Sequence, residues 1–330
     1  MRPIISLRVR ALISLGIVLV ALAAYSPALA SGPKRTSPVA STPIRETWAE
    51  PQLTYGGCGG VDAPVVRADY EQDVVERVNA ERLAAGLGPL KRVDPLNRSA
   101  RYHATDMGQE SYFEHDTYDW NGSRYQYTCS TWDRIGAYYT GAAALAENIA
   151  AGQGSPEAVM NTWMNSAGHR NNILSPDVWE IGVGYYEGSG YYYRYWVQNF
   201  GRRWDVYPVV INREARSTDS MLVSLSIYGT WSEMRLRNDG GAWGAWQPFQ
   251  SNIAWTLGQG VGDHTVTIEL RQGSRTATSS DSIYLTTSPP VATATPPPTR
   301  TPTPTRTRDP HAPTPGPMTP RVWLPLAKKS

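Results

Sequence analysis

Cysteine is nearly missing from this chain: Cys58 and Cys129 are the only two in 330 residues. A scaffold built on several disulfides is excluded, and one bridge is the most the chain can form. A helical His pair at i, i+4, the metalloprotease signature, is also missing. Ser166, the serine nearest His169 in sequence, has no strained nucleophile elbow around it. No internal repeat is visible. No apolar run is long enough for a comfortable membrane span, and neither a sortase pentapeptide nor a hydrophobic anchor follows the closing "RVWLPLAKKS". Basic charge is missing where a nucleic-acid partner would need it. The formal +2 divides into +3 over residues 1–30, +5 from Pro289 onward and −6 between them, so the globular body is acidic and a DNA or RNA partner is excluded.

At the N-terminus, Arg2, Arg8 and Arg10 precede an apolar stretch from Ala11 to Ala24. Ala28-Leu29-Ala30 then supplies a small-x-small cleavage pattern. This predicts a signal peptide over 1–30 and a mature chain that begins near Ser31, with no transmembrane segment after cleavage. An uncleaved anchor is the rival reading. Export permits a Cys58–Cys129 disulfide, with about 4 kcal/mol of stabilisation in the loop-entropy estimate; two free thiols are the alternative.

Composition divides the remainder. Residues 31–66 are rich in Pro, Ser, Thr and Gly and read as a linker or N-terminal cap around Cys58. Helical patterns follow. One runs from an Asp69/Gln72 capping pair through Val74, Val75 and Val78 to Gly86. A second opens at Asp94-Pro95 with the stripe Leu96, Ala100, His103, Met107. A third opens at Ser155-Pro156-Glu157 and buries Val159, Met160, Trp163 and Met164. "EIGVGYY" and "YYYRYWVQNF" then form a hairpin across "EGSG". Over 206–287 short alternating strands predict a small Ig-like β-sandwich, with Asn238-Asp239-Gly240-Gly241 as a hairpin turn and Trp243, Trp246, Phe249 and Trp255 available to fill its core. Residues 288–320 are a Pro/Thr-rich spacer, and 321–330 form a C-terminal segment.

The chemistry-bearing residues concentrate in the first domain. His103 sits on the apolar stripe of its helix and reads as a buried histidine. His115, Glu147 and His169 are the candidate site. Two imidazoles and a carboxylate suit Zn²⁺ with an open fourth position; without metal, Glu147 holds the tautomer of one histidine. Blander readings stand beside these. Glu147-Asn148 satisfies backbone donors in a turn, and His169-Arg170 places positive charge at a helix C-terminus.

"VVERVNAERLAAGLGPL", "ARYHATDMGQESYFEHD", "AENIAAG", "TWMNSAGHRNNIL" and "EIGVGYY" with "YWVQNFG" recur in an order that resembles the bacterial branch of the CAP superfamily, whose fold is the SCP domain, over about residues 70–203. The resemblance implies an α+β protein with a CAP-type α-β-α sandwich over 67–203, followed by the all-β domain. It also implies a cleft holding His115, Glu147 and His169. The family's second glutamate falls at Ser166, so its tetrad is here a triad, and Ala146 replaces the glycine that usually precedes Glu147. A catalytic role for the three residues is left open.

Three functions follow as expectations. The first is a secreted or cell-surface module that binds an apolar small molecule, a glycan or a cell-surface component, in a cleft lined by Tyr112, Tyr138 and Tyr139, with no cofactor required. The second is a zinc-assisted hydrolase of peptide or cell-wall substrates. The third is a structural surface protein.

Overall fold

The computed structural model describes residues 55–287. The signal peptide, residues 31–54 of the linker, the Pro/Thr spacer and the C-terminal segment lie outside the described residues.

The first domain is built on a four-stranded sheet of order β1-β5-β6-β4, comprising β1 (Lys91–Arg92), β5 (Glu180–Glu187), β6 (Arg194–Arg203) and β4 (Ala142–Ala151). β1 runs parallel to β5 and the other pairs are antiparallel. Strand alternation sends successive side chains to opposite faces. Ile181, Val183, Tyr185, Trp196 and Phe200 face one way, into a core shared with α1 (Ala68–Ala84), α4 (Pro156–Met164) and α5 (Ala167–Ile173). Val197, Tyr195 and Ile149 face the other way, against Ala100, Ala104 and Met107 of α2 (Asp94–Glu110). The result is the expected α-β-α sandwich.

α2 lies close to the sheet because β5 offers it glycines. A Cβ on Gly182 or Gly184 would stand 2.0 Å from the Leu96 carbonyl carbon or 2.2 Å from that of Ala100. The α2 stripe read from the sequence is fully buried at Leu96, Ala100, His103 and Met107. A hairpin of β2 (Thr117–Trp120) and β3 (Tyr125–Cys129), then α3 (Thr131–Gly136), lead into β4. Cys58 is bonded to Cys129 with Cα atoms 5.6 Å apart. Tyr102 Oη donates to the Gly57 carbonyl at 2.8 Å, so the segment around Cys58 is tied to both α2 and the hairpin.

Several local expectations need correction. α1 is entered through Arg67, without a side-chain cap. Gln72 instead reaches Arg92 and Glu76. "LAENIAAG" is strand rather than turn, because its backbone groups pair with β6 from Ala142 to Ala151. The charge of His169-Arg170 does serve a helix C-terminus, since Arg170 Nη1 donates at 2.9 Å to the carbonyl of Met164, the last residue of α4. The two residues themselves lie in α5, a separate short helix after the Asn165 cap of α4, and Gly168 is an ordinary member of it, absent from the positive-φ glycines.

The second domain pairs a five-stranded sheet with a three-stranded one. The larger has order β11-β10-β13-β14-β8: β11 (Gln247–Pro248), β10 (Glu233–Asn238), β13 (Gly262–Gln272), β14 (Arg275–Leu285) and β8 (Ser217–Thr218). The smaller is β12 (Asn252–Thr256), β9 (Leu222–Ile227) and β7 (Val209–Ile211). Val223, Leu225, Met234, Leu236, Val266 and Ile268 belong to the core between them. Trp243 and Trp246 do not. The outward-facing Arg235 lies 4.9 and 4.7 Å from their ring centroids, with Arg237 over Trp243 and Arg271 over Trp246. Alternation along β10 and β13 puts these arginines on the outer face, and cation–π attraction gathers the indoles there. Asn238-Asp239-Gly240-Gly241 makes the expected tight turn, with Asp239 and Gly240 at φ of 50° and 72° and Gly241 N donating to the Asn238 carbonyl at 2.8 Å, and the chain then returns antiparallel to β10 as β11.

Candidate functional site

β4 is the edge strand, and the site is assembled at its exposed side. Glu147 points toward α2, with its side chain 1 % exposed, and receives a hydrogen-bond donor on each oxygen. His115 Nδ1 lies 3.0 Å from Oε1. Arg134 Nη2, from the fully buried guanidinium of α3, donates to Oε2 at 2.5 Å. Asn199 stands opposite Glu147 in the β4–β6 register. With its amide oxygen toward Ser99 Oγ and the Ala100 N–H, its nitrogen donates to Oε2 at 2.9 Å.

Arg134 also donates to the His115 carbonyl at 2.8 Å and to Thr117 Oγ1 at 3.0 Å. It therefore holds both the carboxylate and the backbone that carries the imidazole. His115 presents the rest of its ring outward, its side chain 54 % exposed. The Glu147 hydrogen bond raises its pKa above the ordinary imidazole value.

His169 reaches the site from α5. Asn148 Nδ2 donates to its carbonyl at 3.1 Å, and Asn172 Nδ2 donates to the Glu147 carbonyl at 3.1 Å. Burial, and then the neighbouring His115, lower the pKa of its half-buried imidazole, and Nδ1 is buried without a partner. The neighbouring imidazoles are thus shifted in opposite directions. His103 lies deeper, with Nε2 3.0 Å from the Glu114 carbonyl and Nδ1 unpartnered. Burial, followed by the Arg134 charge, pushes its pKa well down.

The structure thus joins His115 to Glu147 and brings His169 beside them. Both Glu147 oxygens are engaged, one by a guanidinium whose positive charge opposes a cation at the same carboxylate. Among the described residues no group of three or more His, Cys, Asp or Glu side chains is arranged to hold a metal ion.

The tyrosines expected to line a cleft are elsewhere. Tyr112 and Tyr139 are buried, their hydroxyls donating to Asp106 and Glu180. Tyr138 packs against Tyr102 and donates to the Val61 carbonyl at 2.5 Å. A groove of about 590 Å³ between α1 and α4, lined by residues such as Arg77, Glu157 and Asn161, includes none of the three site residues. Arg134 and Asn199 were missed in the sequence. The signal for Arg134 was its place three residues after Thr131 and beside Ile135, the other inward positions of α3.

Residues 75–200 match the Cysteine-rich secretory protein family, CAP. This part of the chain is a CAP domain. Over 138 residues the chain is 40% identical to YkwD, an uncharacterized protein of Bacillus subtilis (strain 168), which spans 42% of this chain and 49% of that protein. It is 27% identical over 139 residues to YlbC, an uncharacterized membrane protein of the same strain, with 42% and 36% covered. The chain therefore spans about half or less of each relative's length. Among solved structures, an extracellular protein containing an SCP domain from Bacillus anthracis str. Ames is 28% identical, with 41% of this chain and 40% of that one covered and a TM-score of 0.34. A cysteine-rich secretory protein of Staphylococcus aureus subsp. aureus Mu50 is 18% identical, with 41% of each chain covered and a TM-score of 0.31.

Proposed function

We propose that the chain works outside the cell as a binding module, and that the exposed edge of His115, backed by Glu147, is its ligand contact. The observation that carries this reading is the division of the His115 ring. One nitrogen is anchored to a buried carboxylate, and the other side of the ring is open to solvent. An imidazole held in this way is a preoriented donor to an oxygen of the ligand, and more so when charged. Phe113 and Trp132, two residues in sequence from His115 and Arg134 respectively, are 36% and 53% exposed and offer flat apolar surface in the same two segments.

These features favour a glycan or another oxygen-rich component of a cell surface. An apolar small molecule is disfavoured because Tyr112 and Tyr139 are packed inside. The Cys58–Cys129 bridge supports an oxidising compartment, and among the described residues no helix is long and apolar enough to cross a membrane.

Co-sedimentation of the mature chain with purified bacterial wall sacculi, with phospholipid vesicles in parallel, tests the reading. His115→Ala is expected to weaken sacculus binding by roughly tenfold or more, the effect of losing a central contact, while the melting temperature stays close to wild type. Equal retention of both proteins on sacculi, or retention on vesicles alone, overturns it.

A further inference from the structure

The two domains lie within one compact unit and meet through a short segment folded against its own steric preference. Asn212, Arg213 and Glu214 have φ of 43°, 62° and 66°. Three consecutive residues with side chains occupy the left-handed region, which is costly for all but glycine. Contacts on both sides hold them there. From α1, Asn79 Nδ2 donates to the Arg213 carbonyl at 3.0 Å and Gln72 Nε2 to the Glu214 carbonyl at 2.5 Å. From the sandwich, Ser224 N donates to Asn212 Oδ1 at 2.9 Å.

This conformation aims the Glu214 carboxylate into the joint, where Lys91 Nζ of β1 donates to it at 2.8 Å. Lys91 also donates to Asp281 of β14. The Lys91, Glu214 and Asp281 side chains are only 19%, 10% and 5% exposed. One ammonium group therefore serves two carboxylates in a poorly hydrated space. We propose that Lys91, Glu214 and Asp281 form a proton-operated latch between the CAP domain and the β-sandwich. With a proton on Glu214 the cluster is neutral and the domains stay docked. When that proton leaves to solvent, an uncompensated buried negative charge loosens the joint.

Asp281 accepts from two backbone N–H groups, Ile211 N on Oδ2 and Ser282 N on Oδ1, each at 2.7 Å. The latch assigns the proton to Glu214. Burial, then the Asp281 charge, push its carboxyl up from 4.5 to about 7. Other charged groups facing the joint are Arg92 on β1, whose guanidinium is held by Glu71 at 2.8 Å, and Glu76 on α1, which accepts from the Arg216 N–H at 3.2 Å, with Asp69, Asp73 and Arg216 lining the same groove as Glu76. A carboxyl raised on folding stabilises the joint fully below its unfolded value, and that stabilisation is lost as pH rises through the folded value.

Hydrogen–deuterium exchange of the full chain, corrected for intrinsic rates, tests the latch on peptides covering 205–220. The opening constant of this segment is expected to rise by about tenfold or more between about pH 5 and about pH 8, tenfold being the effect of one unit of displaced pKa. Glu214→Gln is expected to flatten the response and Lys91→Met to move it to higher pH. The same pH response in wild type and Glu214→Gln overturns the latch, as does protection that increases with pH. Should Glu214→Gln not fold, an unmoved response in Lys91→Met does the same.

Discussion

Glu147 and Asn148 are consecutive in β4 and serve opposite faces of the sheet. Glu147 meets His115 and Arg134 on the α2 side. Asn148 donates to Gln198 and to the His169 carbonyl on the α4–α5 side, both at 3.1 Å. The two-residue alternation of one strand thus ties two distant histidine-bearing segments to a single line of backbone. Because β4 is an edge strand, nothing beyond it in the sheet separates those segments, and the imidazoles become neighbours.

The Arg134–Glu147 pair is buried on both sides, so removing one partner strands the other's charge. Arg134→Met is expected to destabilise the protein by about 3–5 kcal/mol in denaturant unfolding, whereas Arg134→Met with Glu147→Leu recovers more than half of the loss. A single variant within about 1 kcal/mol of wild type would contradict the ion-pair account.

Close approach of α2 to β5 depends on bare backbone. A methyl group at Gly184 would lie 2.2 Å from the Ala100 carbonyl carbon, a contact that no flexible side chain can relieve. Gly184→Ala is expected to cost about 3 kcal/mol, at the upper end of ordinary overpacking. A thermal midpoint equal to wild type would show that the helix can back away freely.

The disulfide closes a sequence separation of 71. Cys58→Ser is expected to lower stability by about 4 kcal/mol in the loop-entropy estimate, with the hairpin of β2 and β3 losing exchange protection first. Unchanged stability after reduction would show that packing around Tyr55 and Tyr102 suffices without the bridge.

Much of this was legible in the sequence wherever periodicity matched burial. The Leu96-Ala100-His103-Met107 stripe and the hairpin joining Glu187 to Arg194 were readable because both faces carried their usual residue types. β4 was not. "AAALAENIAA" has only one of the β-branched residues that mark a strand, Ile149, and its pairing with β6 comes from tertiary context. Arg134 was hidden for another reason: arginine is nearly always exposed, and its burial depends on a carboxylate thirteen residues away. The order His115, Glu147, His169 was visible through the family motifs, but the carboxylate's attachment to a guanidinium was not.

That attachment bears on metal binding. Calorimetric titration of Zn²⁺ into the mature chain is expected to give no site tighter than about micromolar, since binding would have to displace His115 or Arg134 from Glu147. A nanomolar site lost in both His115→Ala and His169→Ala would show that the cluster reorganises around the ion.

The central claim is that Glu147 anchors and charges the exposed imidazole of His115. NMR titration of the histidine ring protons measures this directly. His115 is expected to titrate above the ordinary imidazole value near 6.5 and to move down in Glu147→Gln. Its pairing with Glu147 therefore adds stability below about pH 6.5 that is lost as pH rises through the higher folded value. A His115 midpoint at or below 6.5 in the wild type, unmoved by Glu147→Gln, would contradict the account.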